Sequence, residues 1–230
     1  MRYLSSDVLK KNPELYEGIT ESTSWVMKEN NIFNLLDGLD RRAKILDIGC
    51  GNGAFLEAAR KMGFSNLQGA DIANYLKDKT FPHQVIDLNT EKLNQADESL
   101  DIITAFQVLE HLENYFLILH EAERVLKKGG LFIFSIPNQF NIFYRAKFLL
   151  TGNISGFDKA NNHLLFLTRD VFNKTFLKNF ELAGKFFRRG PVPMLGRLNI
   201  IPGVKLPAKV KLMPRREWCS DRVCCILKKK

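Results

Sequence analysis

An α/β fold, a mostly parallel sheet with helices on both faces, is what the residue order predicts. Short branched apolar runs alternate with helix-spaced segments as far as Pro137. One of those runs, Ala43–Ile48, ends directly in three alternating glycines, Gly49, Gly51 and Gly53. The chain of 230 residues is long enough to bury a substantial core as one domain.

The elements follow in order. Residues 1–42 precede the core as a helical cap. Trp25, Val26, Ile32, Phe33, Leu35 and Leu36 predict an amphipathic helix over the sheet and part of a ligand site. Ala43–Ile48 has the make-up of a buried parallel strand. The glycines permit a tight turn and close backbone approach to a ligand. From Ala54 the pattern becomes helical, with Phe55, Ala58, Ala59 and Met62 at helix spacing. Leu131–Ile136 is a further strand, closed by Pro137 and Asn138. Gln139–Leu150 predicts an aromatic-rich helix with Phe140, Phe143, Tyr144 and Phe148 mostly on one side, followed by a loop over 151–156. Thr168 is placed to cap a helix running to Lys178. Phe180–Arg188 and Arg222–Leu227 are the last two strands.

Strand, glycine turn and helix N-terminus make a nucleotide-type pocket, and two ligand classes use one. Gly49-Cys50-Gly51-Asn52-Gly53-Ala54 formally satisfies the G-x-G-x-x-G/A pattern of nicotinamide dinucleotide sites. A dinucleotide, however, sets a pyrophosphate on the helix N-terminus. Asp47, two residues before the first glycine, would repel it. S-adenosylmethionine carries an ammonium, a sulfonium and no phosphate, and an acid there suits it.

The stretch Ile45–Gly53 resembles motif I of the class I S-adenosylmethionine-dependent methyltransferases, and later landmarks fall in that family's order. Leu67-Gln68-Gly69-Ala70-Asp71 resembles the second strand, whose terminal acid binds the ribose hydroxyls. Val85-Ile86-Asp87-Leu88 resembles the third-strand segment whose Asp meets the adenine amino group. Ser99–Phe106 resembles the fourth strand, and Val108-Leu109-Glu110-His111-Leu112 the run that follows it in many small-molecule members. Glu123–Gly130 resembles the helix end and turn before strand five. The likeness covers roughly residues 40–137. It implies a Rossmann-like sheet of seven strands, mostly parallel with an antiparallel final strand, in a methyltransferase domain spanning 43–230.

Under that resemblance the cofactor residues are Asp47, Gly49, Cys50, Gly51, Gly53, Asp71, Ile72, Asp87, Leu88 and Phe106, with Cys50 offering only backbone. Asp71 also stands about twenty residues past the turn, the offset at which a second-strand acid meets a ribose diol. Tyr3, Tyr16 and Trp25 are further candidates to line the pocket. An oxygen acceptor benefits from a base. His111 is the first candidate and His163 the second, with Glu110 orienting His111 or closing the pocket. The ubiquinone-type O-methyltransferases hold a metal with the two glutamates and the histidine of an E-x-x-E-H run. Here the run is Gln107-Val108-Leu109-Glu110-His111, so its first acid is missing and no metal is expected.

Residues 138–167 exceed what packing needs, and such insertions form lids and acceptor pockets. Methyltransferases acting on small molecules, lipid intermediates and cell-surface sugars show a similar segment. The expected substrate is therefore a small-molecule, lipid-linked or glycan-linked acceptor. The formal charge is +9, yet from Gly184 onward thirteen Lys and Arg face only Glu217 and Asp221. Five of the eight prolines lie in the same stretch. Residues 190–216 thus read as an extended basic and apolar loop, either solvated with some hydrophobic residues packed on the domain or fit for peripheral contact with an anionic membrane. A basic run also suits nucleic acid, but this one lacks stacking aromatics. The site after strand four reads Ala105-Phe106-Gln107-Val108, without the Asn/Asp-Pro-Pro-aromatic run of base-methylating enzymes. No apolar run reaches the length of a membrane span, and Met1–Asp7 lacks a signal-peptide core. Four cysteines make no disulfide framework in so long a chain. A cytoplasmic location, with or without peripheral membrane attachment, is expected. The competing functional class is a cofactor-binding protein that docks through the basic loop without turnover.

Overall fold

A computed structural model of the chain describes residues 31–154, 157, 162–188 and 216–230. The cap before residue 31, with Tyr3, Tyr16 and Trp25, and the basic loop apart from Arg216 lie outside the described residues.

The described elements run α1 (Asn31–Asp37), β1 (Lys44–Ile48), α2 (Ala54–Lys61), β2 (Asn66–Asp71), β3 (His83–Val85) and β4 (Leu100–Phe106). A short 3₁₀ turn (Leu109–His111) follows, then α3 (Tyr115–Val125), β5 (Leu126–Pro137), α4 (Ile142–Thr151), α5 (Arg169–Thr175), β6 (Phe180–Phe187) and β7 (Arg222–Lys229). The sheet order is β3-β2-β1-β4-β5-β7-β6. Strands β1 to β5 pair in parallel, and β7 runs antiparallel between β5 and β6. This is the seven-stranded sheet expected.

Burial explains the layering. In β1, Ile45 packs on one face with Ile32, Leu36, Phe55, Leu56 and Ala59, residues of α1 and α2. Leu46 and Ile48 join the other face, with Ile118, Leu119 and Ala122 of α3 and Phe176 after α5. All three β1 residues are at most 1% exposed. Each such side chain contributes on the order of 1.5–3 kcal/mol through burial.

Several boundaries differ from the expectation. Asp87 lies two residues beyond β3 instead of on it. The ladder of β5 begins at Leu126, five residues earlier than expected. It jumps from Leu100↔Leu126 to Ile102↔Leu131, so 127–130 bulge out with Gly129 at φ 76°. Thr168 does cap a helix, accepting from the Val171 amide at 3.2 Å, but that helix ends at Thr175. The aromatic helix starts only at Ile142, capped by Asn141, and none of its side chains is buried. Among the described residues, no helix is long and apolar enough to cross a membrane.

Candidate active site at the carboxyl edge of the sheet

The strand order reverses between β1 and β4, and ligands of open α/β sheets bind outside the carboxyl ends of strands at such a point. The glycine turn leaves β1 there, Asp71 ends β2, and the 3₁₀ turn follows β4.

The turn is built by backbone and one carboxylate. The amides of Gly49 and Cys50 both donate to the Ala70 carbonyl, at 2.7 and 3.2 Å. Gly51 donates to Asp71 Oδ2 at 2.8 Å, and Ile72 donates to Oδ1 at 2.7 Å. Gly49 has φ 64°, and a Cβ on it would stand 2.3 Å from Val108 Cγ2, so only glycine fits. The same contact lays the Val108–His111 segment against the glycine turn. Cys50 turns its thiol toward β2, where it would meet a Cβ on Gly69 at 2.7 Å, leaving backbone at the mouth of the turn.

Asp47 is buried, and its Oδ1 accepts from the Thr104 hydroxyl at 2.6 Å. Burial pushes its carboxyl up to about 7, with Thr104 opposing and Asp71 reinforcing the rise. Asp87 is buried and accepts from the Asn89 amide at 3.0 Å. Ile72 is half-buried beside Asp71. Leu88 and Phe106 turn their side chains into the core, Phe106 edge-on to Phe55 at 5.2 Å between ring centres. Only their backbone remains for a ligand.

A second group of side chains gathers beyond β4. The rings of His111 and His163 meet edge to face, 4.8 Å between centres. The insertion brings His163 there: Leu164 donates its amide to the Glu110 carbonyl at 2.6 Å, and Gln139 accepts from the Leu167 amide while donating to the Leu165 carbonyl. His111 Nδ1 lies 2.7 Å from Asn162 Oδ1. Because a carboxamide oxygen only accepts, Nδ1 is the protonated nitrogen and Nε2 carries the lone pair. Asn162, not Glu110, therefore orients this histidine. Burial, then the neighbouring His163 charge, pushes His111 down to about 4, so its imidazole is neutral at pH 7. The Glu110 side chain is fully buried and neither carboxyl oxygen has a hydrogen-bond partner. Burial raises it to about 8, opposed first by its own backbone amide and then by the Arg222 charge.

Next to this corner opens a cavity of ≈ 1070 Å³, lined largely by Phe140, Phe148, Leu149, Phe157 and Phe166, with Arg145 and Arg169 also on its wall. Phe157 links the two, its ring 5.7 Å from that of His163. Leu149 and Leu150 of α4 are 84% and 85% exposed nearby. Sequence reasoning missed Asn162 and Thr104 because a lone Asn or Thr carries no motif. Arg222 carries no signal in the sequence beyond the start of a strand.

Comparison with known proteins shows the family and the fold. A family model described as "Methyltransferase domain" matches residues 27–182, more than half of the chain. The mitochondrial ubiquinone biosynthesis O-methyltransferase of Rattus norvegicus is 28% identical over 132 residues, which are 52% of this chain and 38% of that one. The ubiquinone biosynthesis O-methyltransferase of Hydrogenovibrio crunogenus is 34% identical over 107 residues, 41% of this chain and 43% of its own. The chain thus spans less than half the length of these two relatives. A solved S-adenosylmethionine-dependent methyltransferase from Thermotoga maritima superposes with a TM-score of 0.64 at 18% identity, covering 98% of this chain and 100% of that one, a likeness of fold.

Proposed function

The chain belongs to the methyltransferase-domain family, and from that premise we propose that it methylates an oxygen of a small-molecule or lipid-linked acceptor. S-adenosylmethionine is the methyl donor of this family. One observation carries the reading: Val108 packs on Gly49, so the turn that would hold the donor touches the segment bearing His111.

In this reading the backbone of Gly49, Gly51 and Gly53 cradles the amino-acid end of the donor. Asp71 takes the ribose hydroxyls and Asp87 the adenine amino group. Bound there, S-adenosylmethionine would supply an electrophilic methyl group for the acceptor oxygen and would leave as S-adenosylhomocysteine. The acceptor's proton passes to the neutral His111, whose lone-pair nitrogen is held in place by the Asn162 bond. Alignment and exclusion of water can supply several kcal/mol more, on the order of the effective-molarity gains of intramolecular reactions.

The acceptor class follows from two supports. Its oxygen chemistry is suggested by the ubiquinone O-methyltransferase relatives. Its apolar tail is suggested by the aromatic cavity and by exposed Leu149 and Leu150, which suit a hydrocarbon chain or a bilayer surface. Titration with S-adenosylmethionine, S-adenosylhomocysteine and NADH, with Asp71→Ala as control, tests the donor site. Incubation with phenolic acceptors, with and without a prenyl tail, then tests turnover by release of S-adenosylhomocysteine. Micromolar donor binding with no turnover on any acceptor would favour the docking-protein alternative. Binding of NADH alone would sink both.

A further inference from the structure

We propose that Glu110, His111 and His163 form a binding site for a divalent transition-metal ion, with zinc its best fit. A carboxylate oxygen of Glu110 and one ring nitrogen from each histidine all lie within 4.8 Å of one another. Small side-chain rotations bring such donors to the roughly 2.0–2.2 Å bonds of zinc.

Two independent features point to an ion. First, Glu110 is fully buried, yet both carboxyl oxygens lack any hydrogen-bond partner. A carboxylate so placed costs several kcal/mol unless it is paired, protonated or bound to a metal. Second, His111 donates its Nδ1 hydrogen to the Asn162 carboxamide, which leaves Nε2 as a directed lone pair. Metal-bound histidines have this arrangement, with the second ring nitrogen anchored on an oxygen.

The E-x-x-E-H run of the ubiquinone-type enzymes is incomplete here, since Gln107 stands where the first acid would be. The structure brings another donor to the same corner, His163, from 53 residues past Glu110 along the chain. The exchange changes the chemistry of the site. Two imidazoles and one carboxylate suit zinc or iron(II), whereas magnesium prefers oxygen donors. Held on His111 Nε2, the ion would replace that nitrogen as the group easing loss of a proton from the acceptor hydroxyl, since one lone pair cannot bind metal and proton together. In that role the inference rests on the proposed function; ion binding itself does not.

Arg222 stands near Glu110 and works against a second cation, and a proton is the competing occupant of the carboxylate. The test is therefore a direct binding measurement on the full chain. Chelator-treated protein is titrated calorimetrically with zinc chloride and with magnesium chloride, and retained metal is counted by mass spectrometry after desalting. We expect one zinc per chain and no measurable magnesium binding. Glu110→Gln and His163→Asn should each weaken zinc by more than 100-fold. Asn162→Ala should weaken it by about 10–100-fold, the usual cost of losing a histidine's anchor. S-adenosylhomocysteine titration of every variant serves as the fold control. If the wild type binds that ligand but no zinc, this inference falls and the methyltransferase reading stands. Equal zinc binding by wild type and both ligand variants would place the ion elsewhere, at the thiols for example, and overturn the proposal.

Discussion

At the glycine turn Asp71 is held by backbone amides of the turn and of its own strand end, whereas at the Glu110 corner His111 is held by a distant part of the chain. Asp71 accepts two amides from within twenty residues, those of Gly51 and Ile72. The Glu110 carboxyl accepts none, and His111 beside it is oriented by Asn162, 51 residues further along the chain. The two regions touch through Gly49 and Val108. The difference matches the two roles proposed for these regions. A fixed cradle suits a donor that is always the same molecule. Buried groups with shifted proton affinities suit a step in which protons move.

The comparison can be broken at its most consequential point first. His111→Ala should lower kcat by about 10²–10⁴-fold, the usual worth of a positioned base. Its S-adenosylhomocysteine affinity should stay within a factor of two or so of wild type, about 0.4 kcal/mol. A variant losing donor binding as well would show that the two regions are one unit. Asp71→Ala should do the converse, weakening the donor by roughly 10–150-fold, as expected for charged hydrogen bonds worth about 1.5–3 kcal/mol. Calorimetry reads both.

Gly49→Ala sharpens the boundary between them. Its Cβ would strike Val108, and its φ of 64° costs a side chain about 1–2 kcal/mol. A fall in Tm of about 2–8 °C is expected for a chain of this size. Shortening the neighbour, in Gly49→Ala with Val108→Ala, should recover part of it. Full recovery would mean that the clash, and not the backbone, sets the glycine requirement.

The proton affinities give the next test, measured in chelator. Glu110 is raised in the folded state from the ordinary 4.5 to about 8, so the native chain binds the extra proton between those values. Its contribution to stability is then full below about 4.5 and is lost as pH rises toward 8. His111, lowered to about 4, acts in the opposite sense, with stability lost as pH falls from 6.5 toward 4. Glu110→Gln should therefore flatten the decline of Tm from pH 5 to 8 and gain about 1 kcal/mol or more at pH 8. An unchanged slope would show that Glu110 is ionised and paired. Smallest in stability is Leu149→Ser with Leu150→Ser, within about 0.5 kcal/mol because both side chains are already exposed. Its expected signature is a raised KM for tailed acceptors alone.

The cofactor end was legible because its parts are local. One contiguous run from Ile45 to Gly53, with Asp71 about twenty residues on, carries strand, turn and acid in an order that geometry demands. The sheet followed from alternation, down to Phe180 and Arg222 as the starts of the last strands. The corner beyond β4 was legible only as candidates. His111 and His163 were named, but nothing in their spacing says that their rings meet. Helix α4 begins at Ile142, so Phe140 falls outside it, and of its own aromatics Phe148 lines the cavity.

By itself, then, the residue order determined the α/β class, the glycine turn and the identity of the acids around it. These depend on backbone conformation and on periodicities of two and 3.6 residues, which short stretches of chain express alone. Tertiary structure alone decided that Asn162 orients His111, that Thr104 holds Asp47, and that Glu110 lies buried beside two imidazoles. Those facts depend on which distant segments pack together. The free energy of burying a group is settled by its neighbours in space, whatever their place in the chain.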